Sequence, residues 1–162
     1  MGVMVFFIGN PFGSDDGIGP HLYNELKDDK RLEGFELMEM GVIGFDLLSY
    51  IESNDTVMIV DAVKIDESSD PPEDEEHVGE VIVIEEQGLQ SNLTLVSQHD
   101  FGVEETATMM RKYMPDLKRI CVVGIKVSKL QPFGNHLSKR LYGQMGGIRR
   151  EVVENILKIA NG

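Results

Sequence analysis

The sequence predicts an α/β fold: a single three-layer domain with a mainly parallel, twisted five-stranded sheet and helices on both faces. Three observations carry this. Apolar runs of strand length recur along the chain, and stretches with helical spacing stand between them. The runs at Val3–Ile8, Thr56–Val63 and Arg119–Val127 are apolar almost throughout, as strands buried on both faces require. The chain has 162 residues, enough for one domain that removes about 70% of its unfolded surface from water.

The elements follow in order. Val3 to Ile8 is a buried strand with a glycine-rich stop behind it. Ile18, Leu22 and Leu26 repeat every four residues, one face of a helix from about Gly19 to Asp29. Pro20 falls in its first turn, where no intrahelical donor is needed. Phe35 to Met40 reads as a second strand, and Leu47, Leu48 and Ile51 give residues 44–53 a helical spacing. Thr56 to Val63 is a third strand and Gly79 to Glu85 a fourth. Val103, Ala107 and Met110 form the inward face of a helix over Val103 to Tyr113, and Arg119 to Val127 is the fifth strand. Leu141, Met145, Ile148, Val152, Ile156 and Ile159 then mark one long terminal helix, with Ser138 as its N-cap. Gly143, Gly146 and Gly147 weaken that helix by about 1 kcal/mol each relative to alanine.

Charge narrows the function. Fifteen basic residues against 28 acidic ones give a net charge of −13. Phosphate neutralisation needs an excess of Lys and Arg, so nucleic acid and anionic membranes are excluded as partners. Eight of the acids fall between Asp66 and Glu80, with no Lys or Arg among them. Taking those eight charges from −13 leaves −5, so the excess belongs to one solvated acidic loop at about 66–79 within a single domain over 1–162. One cysteine, Cys121, excludes an internal disulfide and multi-cysteine zinc sites. The N-terminal apolar run is too short for a signal-peptide core or a membrane span, so a soluble, cytoplasmic monomer is expected.

In an α/β fold the ligand cleft lies outside the carboxyl ends of the strands. After the first strand stand Gly9 to Gly19, with four glycines but no Lys-Ser or Lys-Thr for a phosphate loop. Asp15 and Asp16 would repel a phosphate by about 1–4 kcal/mol per close pair. They suit a cation, or they cap the helix that follows. Asp61 closes an otherwise apolar strand, which is costly unless the carboxylate is paired, binds a cation or hydrogen-bonds a nearby loop. His99, beside Asp100, precedes the helix at Val103. His21, His77 and His136 suit surface or structural roles. Asp16, Asp61 and His99 together form a hard-to-borderline ligand set for a divalent first-row metal. Cys121, in mid-strand, reads as core, and no Ser-His-Asp or Cys-His nucleophile pattern stands out.

The chain resembles the maturation endopeptidases of nickel–iron hydrogenases. The resemblance rests on GNPFGSDDGIG (9–19), MGVIGFDLL (40–48), VDAV (60–63), SQHDFG (97–102), VVGI (122–125) and Leu137-Ser138 before the terminal helix. It implies a hydrolase of one α/β domain, classed with aspartic-type endopeptidases and with its acids tied to metal recognition. Such an enzyme removes a C-terminal extension from the hydrogenase large-subunit precursor after nickel insertion. The family's metal-contacting positions fall on Asp16, Asp61 and His99, which would serve catalysis and metal recognition alike. Glu39, with Gly41 and Gly44, falls where the family meets residues around the scissile bond. The implied metal is nickel carried by the substrate, with zinc or cadmium able to enter in vitro. The acidic stretch from Asp66 departs from the shorter connection expected of the family.

Two other readings compete. A signalling receiver domain would use Asp15 and Asp16, a phosphorylated Asp61 and Lys126 or Lys129. Six residues separate Ile8 from Asp15, whereas receivers place their acids directly at the strand end, and His99 is left unused. A non-catalytic chaperone that binds the nickel-containing precursor would share every motif.

Overall fold

The computed structural model describes residues 2–41, 45–53, 55–64, 77–90, 103–128, 134 and 136–162. Strands β1 (Val3–Ile8), β2 (Glu36–Met40), β3 (Thr56–Lys64), β4 (Val81–Glu85) and β5 (Arg119–Val127) form one sheet in the order β2-β1-β3-β5-β4. β1 runs parallel to β2 and β3, and β3 parallel to β5. β4 is antiparallel to β5, a common exception at the edge of an otherwise parallel sheet.

Successive strand residues point to opposite faces, so a strand covered on both sides must be apolar at every position. In β1, Val5 and Phe7 enter one core while Met4, Phe6 and Ile8 enter the other. Helices α1 (Ile18–Leu26) and α4 (Met145–Asn161) cover the first face through Ile18, Leu22, Leu26, Val152 and Ile156. Helix α2 (Val103–Tyr113) covers the second through Val103, Ala107 and Met110, joined by Leu47. Among the described residues no helix is long and apolar enough to cross a membrane.

Several local expectations change. Residues Phe45–Tyr50 form a 3-10 helix, and a further one at Glu86–Gln90 has no counterpart in the sequence reading. The terminal helix is two: α3 (Lys139–Gly143) and α4 meet at Gln144, whose φ of −101° and ψ of 0° interrupt the helical run. The Ser138 hydroxyl oxygen accepts from Leu141 N at 3.2 Å, so the expected cap closes the short α3 instead of one long helix. Asp61 does not end its strand, because β3 pairs with β5 as far as Lys64. It stands just past the β1–β3 ladder, which stops at Phe7 and Val60. Most of the acidic loop, residues 65–76, lies outside the described residues.

Candidate active site

The glycines of the first loop act by close approach. A Cβ on Gly9 would sit 2.2 Å from the Asp16 carbonyl oxygen, and one on Gly19 would sit 2.1 Å from that of Ile8. Both glycines therefore fold the 9–19 segment tightly back onto the end of β1. The turn Ser14–Gly17 is 3-10, and Ser14, Asp15 and Asp16 are all buried in it. Ser14 takes a φ of +55°, a left-handed conformation that costs a side-chain-bearing residue about 1–2 kcal/mol.

A segment distant in sequence holds this strained turn. Ser14 N donates to Gly134 O at 2.8 Å, and Gly134 N donates to Phe12 O at 2.8 Å. The Ser14 hydroxyl donates to His136 O at 3.0 Å, and Ser138 N donates to Asp15 Oδ1 at 2.6 Å. Gly134 and residues 136–138 thus form a strap across the loop. The sequence carries no signal of it beyond glycine and proline punctuation, because the contact spans more than a hundred residues. The two adjacent acids also separate here. Neither is the N-cap residue of α1, a position that Gly17 takes. Asp15 holds the strap, and the charge of Asp16 acts on Asp61.

Asp61 is 4% exposed and Asp16 7%. Asp61 Oδ1 accepts from Ala62 N at 2.7 Å. Burial pushes the Asp61 carboxyl well above the usual carboxylate range; the Ala62 bond opposes that push and the charge of Asp16 adds to it. Two carboxylates in such a place can share a proton or receive a cation. Beside them, β2 ends in register with β1, Met40 opposite Ile8, so Gly41 stands at the same edge of the sheet. Glu39, paired with Phe7, is exposed one turn of the pleat earlier. His99 and Gly44 lie outside the described residues. Among the described residues no three His, Cys, Asp or Glu side chains gather as a metal site.

Cys121 is buried in β5, and burial pushes its thiol up to about 12. A thiol that stays protonated is no nucleophile. Lys126 Nζ lies 3.7 Å from Glu80 Oε1, so one of the two lysines that a receiver would set against its phosphorylated Asp has an acid of its own, and the other, Lys129, lies outside the described residues. The receiver fold also keeps all its strands parallel, whereas β4 here is reversed.

The sequence profile of the HycI family, described as hydrogenase maturation protease, matches residues 20–157. Asp61, His99 and Glu39 fall within that span, while Asp16 precedes it. No curated protein sequence matches the chain. Among solved structures, the hydrogenase-maturating endopeptidase HybD of E. coli superposes with a TM-score of 0.70 at 16% identity, covering 98% of this chain and 93% of its own. The [NiFe] hydrogenase maturation protease HybD of Thermococcus kodakarensis gives 0.71 at 22% identity, with 96% and 99% covered. HycI of Thermococcus kodakarensis gives 0.69 at 18% identity, with 97% and 92% covered. At these identities the superpositions establish a shared fold.

Proposed function

The chain belongs to the hydrogenase maturation protease family, and from that membership we propose that it cleaves the C-terminal extension from a nickel–iron hydrogenase large-subunit precursor once nickel is in place. One observation supports the nickel requirement: Asp16 and Asp61 are both buried, and the charge of Asp16 acts on the Asp61 carboxyl. A bound cation offsets both their mutual repulsion and their desolvation. Two carboxylates fit a divalent metal of hard-to-borderline character, whether precursor-bound nickel or zinc or cadmium added in vitro. They leave positions for further ligands, from His99 or from the precursor itself.

In this reading Asp16, Asp61 and His99 dock the nickel that the precursor already holds. Docking lays the extension along the carboxyl end of β2, where Glu39, Gly41 and Gly44 meet the residues around the scissile bond. A water polarised by the metal, or deprotonated by one of the two carboxylates, attacks the peptide carbonyl. The same carboxyl returns the proton to the leaving amine as the peptide bond breaks. The raised proton affinity of Asp61 suits a group that must hold a proton briefly during the reaction.

The test compares nickel-loaded and nickel-free precursor by mass spectrometry of the products. Cleavage of the loaded form alone is expected, and equal cleavage of both overturns nickel gating. Asp16→Asn and Asp61→Asn should each abolish cleavage, and full activity in both overturns the assignment of the acids. Binding of nickel-loaded precursor without any turnover assigns the chain to the chaperone role instead.

A further inference from the structure

We propose that Phe12 is a substrate-recognition residue, an apolar anchor held rigidly outward to seat in a depression of the precursor beside its metal. This rests on reading the acid pair as the place where precursor-bound nickel docks. Phe12 is 57% exposed, whereas Phe6 and Phe7 are fully buried. A single exposed aromatic means little by itself. Two further observations give this one meaning.

The first is how its backbone is held. Phe12 N donates to Asn10 Oδ1 at 2.9 Å, and Phe12 O accepts from Gly134 N at 2.8 Å. On either side, Gly13 N donates to Asn10 O at 3.0 Å and Ser14 N to Gly134 O at 2.8 Å. Loop tips are usually the most mobile part of a fold. Here both backbone groups of the exposed residue are fixed, one by its own loop and one by the strap at Gly134. A side chain presented on such a backbone loses little conformational freedom when a partner covers it.

The second is where it stands. A Cβ on Gly13, the next residue, would lie 3.0 Å from the Asp16 Cβ. Phe12 and Asp16 therefore share one tightly folded loop, and a partner that docks at this loop meets an exposed ring beside a buried acid. Tyr50, Tyr113 and Tyr142 are exposed too; the first two lead toward the amino ends of β3 and β5, the opposite edge of the parallel strands, and Tyr142 lies on α3, outside the loop that carries Asp16. Among exposed aromatics, those with low ordering cost at the centre of a contact contribute most to binding.

The experiment measures the Kd of nickel-loaded precursor for the full chain, together with KM and kcat for cleavage. Phe12→Ala should raise Kd and KM about tenfold, as expected for truncating a central anchor, with kcat and melting temperature unchanged. Phe12→Leu, which keeps an apolar side chain, should restore most of the affinity. Wild-type Kd in Phe12→Ala overturns the inference. So does a fall in kcat or melting temperature at constant Kd, which assigns the ring to the fold. A dimer of the free protein that Phe12→Ala dissociates, with precursor binding intact, assigns it to self-association and likewise overturns it. Failure of the protease reading shows separately, as absence of cleavage by the wild type. Phe12 is then judged on Kd alone, and a wild type that does not bind precursor overturns both.

Discussion

Asp61 is the side chain at which stability and chemistry pull apart. Its burial beside Asp16 holds its carboxyl protonated to higher pH than in the unfolded chain. Between the ordinary carboxylate value of about 4 and that raised value, the folded protein binds more protons than the unfolded one. Stability therefore falls as pH rises through this window. Asp61→Asn keeps an acceptor for Ala62 N and removes the ionisable group. We expect its melting temperature to exceed wild type at neutral pH, with the difference shrinking as pH is lowered toward about 4. Thermal melts at a series of pH values read this directly. Equal melting of the two proteins at every pH would sink the account. Cleavage should fall at the same time, the trade expected where a site is built at the expense of the fold.

At the scale of elements, the strap of Gly134 and residues 136–138 is what turns a glycine-rich loop into a fixed turn. It ties the first loop to the start of α3 through Gly134, His136 and Ser138. Asp15→Ala removes the 2.6 Å bond from Ser138 N. We expect a loss of about 1.5–3 kcal/mol in chemical denaturation, in the range for a hydrogen bond to a charged acceptor. The Ser138 amide should also exchange faster with deuterium, while the amides of β3 keep their protection. Unchanged exchange at Ser138 would show that the strap is held by other contacts. The break at Gln144 belongs to this scale as well. One apolar stripe runs from Leu141 through Ile159, and both α3 and α4 use it. Hydrophobic periodicity therefore marks the buried face but does not detect an interruption of the backbone helix within it.

Across the whole molecule, the central strands β1, β3 and β5 are covered on both faces, and Cys121 lies on one of them, fully buried. Its thiol should resist a soluble thiol reagent in the native state and react only with unfolding, so the labelling rate in urea should follow the global transition. Rapid labelling without denaturant would contradict that burial. The sequence alone determined the sheet and its strands, because doubly covered strands must be apolar at every residue, and Val3–Ile8, Thr56–Val63 and Arg119–Val127 display that locally. It also drew attention to Asp61, since an acid after an apolar run is costly enough to stand out, while Asp15 and Asp16 in the glycine-rich loop stayed indistinguishable from helix caps. Only the tertiary structure decided the rest. The reversal of β4 depends on which edge of β5 it meets, and the 3-10 turn at Phe45–Tyr50 satisfies the same leucine spacing as an α-helix. That Asp15 secures the strap while the charge of Asp16 acts on Asp61 follows from partners at Ser138 and β3, far away along the chain. Local patterns record which face of an element is buried. What a polar side chain meets there depends on chain segments that no local window contains.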